Sequence, residues 1–84
     1  MSKEEIFNII KRKLLEILPN LDESRIEPLK SMKDLGANSI DRVDVIIETM
    51  EEMKLVLSPH EVGPVENIQG LVDFLYARCP RYDA

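Results

Sequence analysis

The sequence has one cysteine, one histidine, no tryptophan and only 5% aromatic residues. A single cysteine excludes an internal disulfide, so we expect a fold that is stable without cross-links, as suits a reducing cytoplasm. No apolar run approaches the roughly 20 residues that a bilayer span requires, and Met1 opens no secretion signal. These absences predict a cytoplasmic protein that does not insert into membranes.

The small size and the missing motifs argue against an enzyme. At 84 residues, the chain is long enough for one domain, residues 1–84, and too short for a deep catalytic cleft. His60 and Cys79 form no metal-ligand cluster, and the three glycines are too scattered for a phosphate-binding loop. A hydrolase using Ser39 would need a base and an orienting acid, and no motif supplies them.

The charge balance argues against nucleic acid as a partner. Eleven basic residues stand against 16 acidic ones, a net charge of -5, and no basic patch stands out. The acidic excess is concentrated in residues 39–54, which contain five acidic and two basic residues. Such a segment indicates either a surface that attracts a basic protein partner or an ordinary solvated helix face.

Apolar spacing predicts a first helix and a long packed connection. Ser2 and Glu5 have the spacing of a capping box, and Pro19 ends the helix. A connection of about 19 residues is uncommon in a compact domain unless it is functional or packed against the core. We expect the first helix to bury Ile6, Ile9, Ile10, Leu14, Ile17 and Leu18, and the connection to be anchored by Ile26, Leu29, Met32 and Leu35.

Three further helices complete the predicted fold. The second begins near Asn38 and Ser39, a short third occupies residues 59–62, and the last runs from about Asn67 to just before Pro80. Residues 55–57 are apolar but have no candidate strand partner, so we interpret them as loop. The expected buried stripe of the second helix is Val43, Ile46, Ile47, Met50 and Met53. The sequence therefore predicts an all-α, small four-helix bundle with three longer helices and one short one.

Residues 34–40, Asp-Leu-Gly-Ala-Asn-Ser-Ile, place a hydroxyl at the start of the acidic helix. A phosphodiester there would lie at the positive end of the helix dipole, which favours anions by about 0.3–1 kcal/mol at an exposed position. Taken alone, these residues favour a simpler interpretation, in which Ser39 only caps the helix.

This segment resembles the Asp-Leu-Gly-Ala-Asp-Ser-Leu signature around the modified serine of acyl carrier proteins. It departs from the signature at Asn38 and Ile40. The similarity covers residues 3–78 and includes the spacing of the second and last helices. It implies that a phosphopantetheinyl transferase attaches 4'-phosphopantetheine to Ser39. An acyl-loading enzyme would then place the cargo on the arm as a thioester, and the carrier itself would catalyse nothing.

The resemblance also implies a partner-binding face along the loop and the second helix. We expect Val45 to be an apolar contact on this charged face, unless it is a core residue beside Val43 and Ile46. Arg42 has no acidic residue three or four positions away, which favours a contact with a partner over a pair on its own helix. The residues expected on the face are Asp34, Asn38, Ile40, Asp41, Arg42, Val45 and Glu48.

Residues 39–47, 50–53 and 67–71 are most similar to the freestanding donor carriers of polyketide β-branching cassettes. That similarity implies delivery of an acetyl group to a hydroxymethylglutaryl (HMG) synthase homologue. We expect the carrier to be a monomer, because a swinging arm needs no second copy. Two alternatives stay open. One is a general fatty-acid, polyketide or nonribosomal-peptide carrier. The other is a cofactor-free helical adaptor, in which Ser39 is only a cap.

Overall fold

The computed structural model describes residues 2–56 and 67–78, and these residues contain helices and no strands. Three α-helices, α1 (Lys3–Ile17), α2 (Ser39–Met53) and α3 (Ile68–Arg78), are joined by loops, and Glu23–Arg25 forms one 3-10 turn. The all-α prediction is confirmed. The predicted short helix over 59–62 lies outside the described residues, as do His60 and Cys79.

Helix α1 begins where its capping box predicts. The Ser2 hydroxyl accepts a hydrogen bond from the Glu5 backbone N–H at 3.1 Å, and the Glu5 carboxylate accepts one from the Ser2 N–H at 3.0 Å. The helix buries Ile6, Ile9, Ile10 and Leu14 and contacts both α2 and α3. It is therefore the element against which the other two helices pack.

Helix α2 buries Ile46, Met50 and Met53 as predicted, but the rest of its buried face differs from the prediction. Val45, expected on a partner-binding surface, is completely buried, whereas Val43, expected in the core, is 41% exposed. Thr49 is also fully buried, and it lies one turn after Val45 on the same side of the helix. With about 3.6 residues per turn, these two positions rotate the buried face away from Val43. The buried residues are Val45, Ile46, Thr49, Met50 and Met53.

The connection between α1 and α2 is packed down, as predicted, with one exception. Ile26, Met32 and Leu35 are buried, but Leu29 is 79% exposed. The backbone carbonyls on either side of Leu29 explain this. Pro28 accepts a hydrogen bond from the Gln69 N–H at 2.8 Å, and Lys30 accepts one from the Ile68 N–H at 3.0 Å. These bonds satisfy two amides at the start of α3, and the segment that makes them leaves the Leu29 side chain in solvent.

Ion pairs join the outer surfaces of the helices. Near the end of α2, the Glu52 carboxylate binds the guanidinium of Arg12 and lies 3.2 Å from the Lys13 ammonium, both on α1. Lys3 of α1 lies 3.0 Å from Asp73 of α3. These contacts are made at positions distant in sequence from Ser39, so they fix the helices without occupying the residues around that serine.

Candidate functional site

Ser39 is the first residue of α2 and is exposed to solvent. The turn before it depends on Gly36, whose φ of +98° lies in the left-handed region that favours glycine. Leu35 and Ala37, on either side of this glycine, are buried. The Gly36 N–H donates to the Lys33 carbonyl, and the Ala37 N–H donates to the Met32 carbonyl, each at 3.0 Å. The turn therefore fixes where the chain emerges from the core, immediately before Ser39.

Asn38, and not Ser39, caps the helix. The Asn38 side chain accepts a hydrogen bond from the Asp41 N–H at 2.8 Å, and the Asp41 carboxylate accepts one from the Asn38 N–H at 3.3 Å. Within residues 2–56 and 67–78, the Ser39 hydroxyl has no hydrogen-bond partner. The simpler interpretation, in which Ser39 is a cap, is therefore wrong, and its hydroxyl is available for chemistry.

Asp34 has a local structural role in addition to its predicted place on the partner face. Its carboxylate accepts a hydrogen bond from the Ser31 N–H at 3.2 Å, and the Ser31 hydroxyl accepts one from the Asp34 N–H at 3.0 Å. The hydrogen bond that the Ser31 backbone N–H donates to the carboxylate, followed by one from the Ser31 side chain, lowers the pKa of Asp34. Arg25 donates to the Asp34 carbonyl at 3.2 Å, which further orders the loop.

The outward side of α2 combines apolar and acidic side chains close to Ser39. Ile40 is 71% exposed, and Val43 lies three residues further along the same helix. Asp44 is exposed and Glu48 is half-buried, and neither forms an ion pair within the part of the chain that the structure describes. Sequence analysis missed Val43 because it fits the spacing of the apolar stripe. The signal that could have identified it was Thr49, one turn after Val45.

Arg42 lies elsewhere on α2. It precedes Val45 by three residues and Ile46 by four, which places it on the core-facing side of the helix, one turn before the core begins. Its Nε atom is buried and has no hydrogen-bond partner among the described residues. Ser39 is three residues earlier and shares this side. Arg42, predicted on the partner-binding face, therefore does not lie on the outward side of α2 with Asp44 and Glu48, because its position in the helix faces the core at the Ser39 end.

Residues 2–56 and 67–78 contain no group of three or more His, Cys, Asp or Glu side chains that could hold a metal ion. None of the helices in these ranges is both long and apolar enough to cross a bilayer. The chemical feature that stands out in this part of the chain is the unbonded hydroxyl at the start of α2.

Comparison with known proteins identifies the family. The chain is 37% identical over 76 residues to the polyketide biosynthesis acyl-carrier-protein AcpK of Bacillus subtilis, covering 90% of this chain and 93% of the relative. It is 31% identical over 75 residues to an acyl carrier protein of Thermotoga maritima, covering 88% and 91%. No family model matches the chain.

A solved structure provides a further match, with a TM-score of 0.86 and 39% identity. It is the crystal structure of the curacin biosynthetic pathway HMG synthase in complex with acetyl donor-ACP, and the match covers 92% of this chain and 99% of that one. Because an 84-residue chain spans nearly all of the matched chain, the match is to the carrier of that complex. The chain therefore belongs to the acyl carrier protein family, whose members tether substrates for partner enzymes and are not themselves enzymes.

Proposed function

We propose that this carrier holds an acyl group as a thioester on 4'-phosphopantetheine attached to Ser39. The observation that carries the proposal is that two neighbouring residues have different roles. Asn38 caps α2, and the adjacent Ser39 presents an exposed hydroxyl with no partner in the described residues. A residue needed for capping would lose that role on modification, whereas this serine can be modified without disturbing the helix.

The residues around Ser39 fit a covalent phosphodiester. The serine oxygen would attack the phosphorus that links phosphopantetheine to the nucleotide of coenzyme A. The pyrophosphate bond would break, adenosine 3',5'-bisphosphate would leave, and the hydroxyl proton would be lost to the transferase or to solvent. The product carries one negative charge at the positive end of α2, where an anion is favoured. When attached, the arm supplies a terminal thiol that holds the acyl group at a high effective concentration for partner enzymes.

We also propose that the cargo is an acetyl group and that the carrier delivers it to an HMG synthase homologue in polyketide β-branching. Support comes from a relative named for polyketide biosynthesis and from the matched acetyl donor carrier in complex with the curacin-pathway HMG synthase. In this function, the synthase would contact Ile40 and Val43 and attract Asp44 and Glu48 with basic side chains.

The remaining predicted contacts lie at the edge of this proposed surface. Asp34, Asn38 and Asp41 order the loop and the cap, so we propose that they act on partners mainly through the position of Ser39. Arg42 lies on the same side of α2 as Ser39 and would be reached only by a partner that covers the serine.

Intact-mass measurement tests the attachment. Incubation with coenzyme A and a phosphopantetheinyl transferase of broad specificity is expected to add one phosphopantetheine to the parent chain and none to Ser39→Ala. Ser24→Ala is a matched control, because Ser24 is also exposed but its hydroxyl bonds to Asp22. Absence of any gain in a folded, unmodified protein would overturn the attachment and favour the cofactor-free adaptor.

Acetyl transfer tests the partner. The acetylated holo-carrier is expected to acetylate the active site of a β-branching HMG synthase faster than it serves a fatty-acid condensing enzyme. Val43→Asp and Ile40→Asp should slow this transfer while leaving the acetyl load unchanged by mass. Equal transfer to both enzymes would favour the alternative, a general carrier.

A further inference from the structure

We propose that Arg42 binds the phosphodiester of the arm on Ser39 and so restrains the base of the arm in the free holo-carrier. The proposal rests on the proposed attachment to Ser39 and adds a positioning residue to it. It is carried by three observations, which are the place of Arg42 on α2, its unpaired buried nitrogen and the absence of a competing carboxylate.

The two residues lie on one side of the helix. Ser39 and Arg42 are separated by three positions, which brings their Cβ atoms to about 5–6 Å on an α-helix. The arginine side chain is long enough to reach back over this turn to a group attached to the serine. By contrast, Asp44 and Glu48 belong to the opposite, outward side, so the same guanidinium cannot readily serve both.

The guanidinium has an unsatisfied donor in this structure. The Nε atom of Arg42 is buried and makes no hydrogen bond, and within the described residues Arg42 is absent from every ion pair. Leaving a buried donor of a charged group unpaired is unfavourable. A modest rotation of the side chain toward Ser39 would pair its N–H groups with the arm, so loading the serine would relieve this cost.

The chemistry of the two groups is complementary. A phosphodiester carries two non-bridging oxygens and one negative charge, and the planar arginine fork binds such oxygens in pairs. Few nearby carboxylates compete with the phosphodiester for the Arg42 guanidinium. Positions 38, 39, 45 and 46, three or four residues from Arg42, hold no acid. The nearby Asp41 carboxylate is engaged by the Asn38 N–H.

Other basic residues of the loop are less suitable. Arg25 already donates to the Asp34 carbonyl, and Lys33 and Lys30 are exposed residues on the loop before the Gly36 turn. Arg42 is thus the cation that shares the Ser39 side of α2 within the described residues. The restrained base would give the arm a preferred direction as it leaves the helix, while the thiol end stays mobile.

NMR of the arginine side chain tests this directly. In the uniformly 15N-labelled parent, the Arg42 Nε–Hε signal is expected to shift downfield and to exchange more slowly with water on conversion from apo to holo. The Arg12 signal is an internal control, because that guanidinium is already bound to Glu52 in the apo protein. Mass spectrometry of the same sample confirms that Ser39 is loaded.

A second readout follows the phosphorus. The 31P signal of the holo-protein is expected to differ between the parent and Arg42→Gln, while Arg42→Lys, which keeps the charge, should lie nearer the parent. Full loading with an unmoved Arg42 signal and the same 31P shift in Arg42→Gln would overturn this proposal alone. Failure of Ser39 to be loaded would overturn the proposed attachment, and this proposal with it.

Discussion

The side chain of Asn38 and the backbone N–H of Asp41 are joined by a hydrogen bond of 2.8 Å, and the Asp41 carboxylate accepts from Asn38 in return. This exchange satisfies the N–H groups of Asn38 and Asp41 without using the side chain of Ser39. The residue that caps the helix, Asn38, is therefore distinct from Ser39, the proposed site of modification. The first prediction follows from this separation.

Asn38→Ala is expected to lower the free energy of unfolding of the apo-protein by about 1 kcal/mol, because a helix cap is lost. Ser39→Ala should change it by less than about 0.5 kcal/mol, since its hydroxyl makes no bond within the described residues. Asn38→Asp, which keeps a capping oxygen, is the control and should stay close to the parent. Urea unfolding measures all three, and an equal loss in Ser39→Ala and Asn38→Ala would contradict the assignment of the cap.

Gly36→Ala is expected to destabilise the protein by about 1–2 kcal/mol. The φ of +98° strains an L-residue, although nothing lies within 4 Å of the added Cβ, so the cost is in the backbone and not in packing. Gly36→Asn should lose less, because asparagine tolerates the left-handed region better than alanine does. Thermal unfolding distinguishes the two. Equal losses would indicate that the turn rearranges on substitution.

Glu52 is expected to make stability depend on pH. The hydrogen bond from Arg12, followed by that from Lys13, lowers the Glu52 pKa below its ordinary value of 4.5. A carboxyl with a lowered folded-state pKa stabilises the fold above the unfolded pKa, and this contribution is lost as pH falls through the folded value. The urea midpoint of Glu52→Gln should therefore lie below that of the parent near pH 7, and the gap should close below pH 4.5.

Glu51→Gln is the matched control for this prediction. Glu51 is the exposed neighbour of Glu52 and forms no ion pair within the described residues. Its substitution should leave the pH dependence of the urea midpoint almost unchanged. A gap between Glu52→Gln and the parent that is the same at pH 7 and at pH 3 would show that the two cations do not act through the ionised carboxylate.

Local chemistry made part of this fold predictable from sequence. Capping by Ser2 and Asn38 depends on residues within four positions, and both helices begin where those caps predict. The exposures of Val43, Val45 and Leu29 depend instead on how the helices and the loop pack together. The buried face of α2 includes Thr49, although its side chain is polar. The backbone on either side of Leu29 is held by hydrogen bonds from two amides of α3. The spacing of apolar residues alone predicts neither arrangement.

Val45→Ala and Val43→Ala form a pair that tests the orientation of α2. Val45 is fully buried, so its truncation should cost about 2 kcal/mol of unfolding free energy through lost burial and the cavity left behind. Val43→Ala should cost less than about 0.5 kcal/mol and should instead slow acyl transfer to the partner synthase. Urea unfolding and the transfer assay give the two readouts. The reverse order of stabilities would restore the orientation predicted from spacing.

Thr49→Val is expected to stabilise the apo-protein by about 1 kcal/mol. The Thr49 hydroxyl is fully buried and has no hydrogen-bond partner in the described residues, and an unsatisfied buried hydroxyl is unfavourable by about 1–3 kcal/mol. Valine replaces the hydroxyl with a methyl group of similar shape and removes that cost. Thr49→Ser is the control, because it keeps the hydroxyl, loses a methyl contact and should be less stable than the parent. Urea unfolding of the three proteins measures these differences in stability. A destabilised Thr49→Val would mean that the hydroxyl has a hydrogen-bond partner in solution. That partner would be a water molecule held beside α2.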